Sequence, residues 1–206
     1  MRPVMREGQT EPRANLNDLI ETPAMFGVGA MAGLRGEVTL RDSEVWITRL
    51  QDGAPVTMGP AVAAEERATL LTVAQARRFD EHVLEQELGG TALEQAIRAC
   101  AVTCGIDAAQ PFIFTVRGRV RCLQLHVVDG ACLHADPSAE GLRITIPEST
   151  PVEIVGVHAE RQVGVMTHHG TSVHMHALLD WKGRRITAHV DALTTEPGAR
   201  LGVAIE

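Results

Sequence analysis

The residues of this sequence best placed for chemistry are histidines. Five of nine fall in the stretch HHGTSVHMHALLDWKGRRITAHV, from His168 to Val190. SVHMHALLD and RRITAHVDA read as antiparallel strands joined by a tight turn at Lys182-Gly183, where the glycine supplies a positive φ. His176 then faces His189, His174 faces Asp191, Leu178 faces Thr187 and Asp180 faces Arg185. Alternate residues of a strand share a face and opposed residues point the same way, so His174, His176, His189 and Asp191 gather on one face. The reverse face carries Val173, Met175, Ala177 and Leu179 against Ile186, Ala188, Val190 and Ala192, none of them polar. That face must be core, and a one-residue slip would drive the histidines into it.

Three imidazoles converging from two strands, with a coordination position left open, are the donor set of a catalytic zinc. His174, His176 and His189 are therefore the expected metal ligands, with Zn2+ as the expected ion. Nickel, iron or copper accept the same nitrogens. The competing reading, a solvated histidine-rich strand, explains the composition but explains less well the HxH alternation opposite a third histidine. His168 and His169 precede the strand in a glycine-containing loop and read as exposed loop residues; His134 and His158 receive no role.

The elements that must position these residues are mostly short strands. GEVTLRDSEVWITRL reads as a hairpin around Arg41-Asp42-Ser43, and ATLLTV (68–73) as a buried strand. PFIFTVRG and RVRCLQLHVV read as a strand pair joined near Gly118, and PVEIVGVHA opens a third group. The glycine-spaced stretch from Leu19 to Leu34 suits a loop or an irregular short helix. Residues 91–103, TALEQAIRACAVT, have helical apolar spacing, with Thr91 and Glu94 set out as a capping box. Many strands against one clear helix indicate an α+β fold, a mainly antiparallel β-sheet domain with few helices. The expected organisation is a flexible N-terminal tail over residues 1–18 and a single domain over 19–206.

Composition narrows the partners. A formal net charge of −7, two tryptophans, four phenylalanines and no tyrosine give neither a basic stripe nor a stacking surface, so nucleic acid is not expected. No apolar run reaches the roughly 20 residues that span a bilayer, and the polar N-terminus does not read as a secretory signal. A soluble, cytoplasmic protein is expected. Cys100, Cys104, Cys122 and Cys132 form no CxxC pair and read as buried thiols.

The order FGVGAMAGLRGEVTLRDSEVWI, ATLLTV, helix, FTVRGRVRCLQLHV, EIVGV and then HMH with a distant third histidine resembles the acetolactate decarboxylases over roughly residues 19–193. The resemblance is specific at Gly36-Glu37, similar to the family segment whose glutamate reaches the metal, and at His174, His176 and His189. It implies a zinc-dependent carbon–carbon lyase acting on a small 2-hydroxy-3-keto acid such as acetolactate, with Glu37 beside the metal, and a homodimer. A related group of small plant and prokaryotic conserved domains also pairs an HxH strand with a third histidine. Two positions depart from the family. Its substrate-holding arginine, counted from Gly118, falls on His126, and its threonine seven residues before the glutamate is Ala30. The family's C-terminal glutamate contact finds no counterpart in the aligned stretch. His126, on the strand face of Cys122 and Gln124, is the second expected catalytic residue beside Glu37; it can donate a hydrogen bond but cannot clamp a carboxylate bidentately. The alternatives are another metal-dependent lyase, isomerase or hydrolase on the same scaffold, or a non-catalytic metal- or ligand-binding protein.

Overall fold

The structure, a computed structural model, describes residues 4, 9–59, 65–131 and 141–205. Among them, two antiparallel sheets carry almost all of the regular structure. The first has the order β1-β6-β2-β3-β4-β5, built from β1 (Ala14–Asn15), β2 (Met25–Met31), β3 (Glu37–Arg41), β4 (Glu44–Gln51), β5 (Ala54–Met58) and β6 (Arg67–Gln75). The second comprises β7 (Phe79–Val83), β8 (Leu88–Gly89), β9 (Phe112–Val128), β10 (Gly141–Ile146), β11 (Thr150–His158), β12 (Val173–Trp181), β13 (Arg184–Thr195) and β14 (Arg200–Ala204), in the order β7-β14-β9-β11-β12-β13-β8 with β10 on β9. Because β9 also pairs with β13, the strands β9, β11, β12 and β13 close into a ring. The helices are α1 (Asn17–Ile20) and α2 (Gly90–Thr103). A mainly antiparallel domain with few helices is the architecture expected from the sequence.

The β12–β13 register is also as expected: His176 pairs with His189, Leu178 with Thr187 and Asp180 with Arg185. Lys182 and Gly183 turn with φ of 49° and 76°, a left-handed pair that matches the twist of the flanking strands. The reverse face packs as core, with Ala177, Leu179, Ile186 and Ala188 buried against Leu93, Ile97 and Ala101 of α2. Ala192 is the exception. Register shifts between Val190, Ala192 and Thr194 turn β13 away from β12 and onto β9, which exposes Ala192 and buries Leu193 in its place.

Other local expectations are corrected. Residues 112–128 form one strand, with no hairpin at Gly118. Gly118 holds φ 149°, and a Cβ there would lie 2.8 Å from Ala199 Cα, so the glycine serves the close passage of another chain segment. The expected loop at 19–34 contains β2, buried along its whole length. A Cβ on Gly27 would lie 2.5 Å from the Thr72 carbonyl oxygen, which shows how tightly β6 approaches. Within 68–73 only Ala68 and Thr69 are buried; the rest is half-buried. Helix α2 begins one residue before Thr91 and has no side-chain cap. Cys100 and Cys104 are half-buried and Cys122 exposed, all as free thiols, while Cys132 and His134 lie outside the described residues. Of the expected tail, Ala14 and Asn15 pair with Ala68 and Arg67, and Leu16 is fully buried.

Candidate metal and catalytic site

The site forms where the two sheets meet. Along β3 the alternation of Glu37, Val38, Thr39 and Leu40 sends Val38 and Leu40 into the first sheet's own core and turns Glu37 and Thr39 towards the second sheet. Threonines fill the gap that apolar residues would normally occupy between packed sheets. Thr39 Oγ1 lies 2.5 Å from Thr187 Oγ1, and Thr187 N–H donates to Thr48 Oγ1 over 2.8 Å. Thr39 Oγ1 is also 3.2 Å from His176 Nδ1. A ring whose Nδ1 is held in this way presents Nε2 to the site, the arrangement that orients metal-binding histidines generally.

Three histidines sit side by side on three neighbouring strands. His176 of β12 pairs with His189 of β13, which pairs in turn with His126 of β9. The ring centroids are 5.5 Å apart for His176 and His189, and 4.5 Å for His189 and His126. His174 joins them at 5.0 Å from His189. The expected positions His174, His176, His189, His126 and Glu37 are thus brought together, and all five are buried. His126 arrives there through its register with β13, since the hairpin from which it was counted does not exist. Its Nδ1 lies 2.8 and 2.9 Å from the two carboxylate oxygens of Asp191.

His168 corrects the loop reading. It is half-buried, with its ring 5.5 Å from His174 and 4.8 Å from His189. The donor atoms of His168, His174 and His189 lie within 4.8 Å of one another, a tighter group than one that includes His176. Glu94 of α2 holds this loop by accepting hydrogen bonds from Ser172 N–H at 3.0 Å, Ser172 Oγ at 2.6 Å and Thr171 Oγ1 at 2.9 Å. The roles of His168 and Glu94 were missed because loop residues have no periodicity and their partners are distant in sequence; Asp191 was expected on the histidine face opposite His174, and the shifted register of β13 sets it against His126 instead.

Burial shapes the electrostatics. Glu37, 3% exposed, has its pKa pushed up from 4.5 to about 8, chiefly by desolvation, with the Asp191 charge adding to the rise and a hydrogen bond from Val128 N–H opposing it. That bond is 3.1 Å long. His176 and His189 are lowered well below 6.5, first by burial and then by neighbouring imidazoles. They are neutral and can act as ligands. His176 Nε2 is buried, finds no hydrogen-bond partner among the described residues, and lies 3.5 Å from Glu37 Oε2. An orphaned imidazole nitrogen beside a carboxyl and three further imidazoles fits a divalent transition metal.

Glu37, His126, His168, His174 and His189 line a cavity of about 30 Å³, room for an ion and a water. It shares Gly29, Leu70 and His174 with an open groove of about 530 Å³, which also carries Arg13. Among the described residues no helix is long and apolar enough to cross a membrane.

No protein-family model and no curated protein matches the chain. Solved structures do. The acetolactate decarboxylase of Bacillus subtilis subspecies spizizenii aligns with a TM-score of 0.72 at 16% identity, over 97% of this chain and 81% of that one, and the enzyme of Bacillus subtilis strain 168 gives the same values. A Staphylococcus aureus protein of unknown function, similar to alpha-acetolactate decarboxylase, aligns with a TM-score of 0.68 at 14% identity, over 94% of this chain and 78% of that one. The chain therefore has the acetolactate decarboxylase fold, in a divergent form whose chemistry must be argued from its own side chains.

Proposed function

We propose that the protein is a zinc-dependent decarboxylase of a small 2-hydroxy-3-keto acid such as acetolactate. The observation that carries this reading is the placement of Glu37 3.5 Å from the orphaned His176 Nε2, in a buried gap with the other imidazoles. His174, His176 and His189 would hold the metal, and His168 stands within reach as a further donor. When bound, the cation supplies Lewis-acid polarisation of the substrate hydroxyl and ketone oxygens, and its charge draws the pKa of Glu37 down.

The carboxylate carbon leaves as carbon dioxide, and the electron pair of the broken bond moves onto the ketone oxygen. The carbon that lost the carboxylate then needs a proton. Glu37, beside the site, can deliver it and be reset from solvent. His126, fixed by Asp191, can donate a hydrogen bond to a substrate oxygen. Arg13 in the adjoining groove offers a guanidinium for a carboxylate.

A second reading keeps the metal and changes the substrate. Asp191 neutralises any positive charge on His126, so the position of the family's arginine lacks a clamp for an acid, which favours another metal-dependent lyase, isomerase or hydrolase reaction. The decisive experiment couples elemental analysis with carbon dioxide and acetoin release from racemic acetolactate. The decarboxylase reading expects at least one zinc per chain and turnover. Glu37→Gln should lose at least about 100-fold in rate with zinc retained, whereas His176→Ala should lose one equivalent of zinc. Zinc without carbon dioxide release selects the second reading, and a protein that takes up no metal sinks both.

A further inference from the structure

A second set of metal-ligating side chains comes together outside the histidine site, at the β7 edge of the second sheet. Asp80 and His82 alternate along β7, whose registered partner is β14. Cys104 closes the C-terminal end of α2 directly opposite them. Its Sγ lies 3.4 Å from His82 Nε2 and donates to Asp80 Oδ2, also over 3.4 Å. The three donor atoms all lie within 4.8 Å of one another.

These separations carry chemical information. With zinc–sulfur bonds of about 2.3 Å and zinc–nitrogen or zinc–oxygen bonds of about 2.0–2.1 Å, sulfur and nitrogen on a tetrahedral ion sit about 3.5 Å apart. The thiol therefore stands from both of its neighbours at close to a tetrahedral edge. Cys100 lies one helical turn before Cys104 on the same face, close enough for the Asp80 charge to act on it. The local field favours a cation as well, since the end of a helix carries partial negative charge and the last turn of α2 has no basic residue.

We propose that Asp80, His82 and Cys104, with Cys100 as the fourth donor, form a second metal site that takes a thiophilic divalent cation of the zinc type. The ion clips the C-terminal end of α2 to the edge strand of the sheet. The site is independent of the histidine cluster, from which it differs in containing sulfur, and that difference supplies the test.

The reduced, metal-free, full-length protein is titrated with Co2+ alone. Thiolate bound to cobalt absorbs in the near ultraviolet, whereas a donor set of imidazoles and carboxylate does not. The expected result is a thiolate–cobalt band that saturates by two equivalents in the wild-type protein and at one equivalent in the His174→Ala, His176→Ala double variant. The band is lost in Cys104→Ser and, independently, in His82→Ala. If Cys104→Ser fails to fold, as circular dichroism would reveal, His82→Ala carries the comparison. The absence of the band from the wild-type protein at saturating cobalt overturns the proposal, as does a band that survives both substitutions.

Discussion

Glu37 and His176 face each other across the gap between the sheets, and burial acts on them in opposite directions. Glu37 titrates near 8 in the folded chain against 4.5 when exposed, so the fold favours its acid form. The stability this contributes is fully present below 4.5 and is lost as the pH rises through 8. His176 and His189 must stay neutral in the fold, so their burial opposes folding as the pH falls below 6.5, where the unfolded chain takes up protons. Between these limits the metal-free wild-type protein should lose melting temperature steadily from pH 6.5 to about 8, while Glu37→Gln holds level. Parallel falls in the two proteins, followed by circular dichroism, would remove Glu37 as the cause. At this scale much of the site was legible. The HxH alternation and the Lys182-Gly183 turn place His174, His176 and His189 from a two-residue period alone. His126 was found by a count through a hairpin that is not there. What brings it to the site is a neighbouring strand whose identity lies in the long-range fold.

Helix α2 shows why individual elements were less legible. Thr91 and Glu94 have the spacing of a capping box, yet Glu94 turns outward to hold Ser172 and Thr171. Local spacing cannot register a partner 78 positions away. The same limit hid the continuity of β9, because a glycine inside a strand looks like a turn until Ala199 is seen against it. β2 was hidden in the same way, its glycines admitting β6 where they had suggested a loop. If Glu94 serves the loop, Glu94→Ala should speed hydrogen exchange across residues 167–173 by about tenfold or more, the loss of at least one buried hydrogen bond of roughly 1.4 kcal/mol. Exchange within 93–103 should stay slow. Faster exchange of the helix with an unchanged loop would return Glu94 to a capping role.

For the whole molecule the relevant fact is that the proposed site draws on both sheets, the histidine ligands on the second and Glu37 beside them on the first. An ion held by histidines of separate segments binds the folded chain and has no equivalent site once the chain unfolds. Chelation should therefore lower the melting temperature, and zinc should restore it progressively, with a stabilisation of about 4 kcal/mol at a free concentration 1,000 times the dissociation constant. A melting temperature indifferent to zinc activity would mean that the folded chain holds no such ion.

Strand β9 has a further consequence, for synthesis. Its registered partners β10, β11, β13 and β14 all follow it in sequence. The strands of the first sheet, by contrast, find their partners within residues 14–75 and can pair while the chain is still being made. A nascent chain that has just emerged through Val128 therefore presents a long strand without its registered partners, and Val116, Val120, Leu123 and Leu125 have only part of their core, chiefly that from α2, to pack against. The ring closes only when β13 arrives, and it brings His189 with it. Loading of the proposed metal site therefore waits until β13 has been made and has closed the ring.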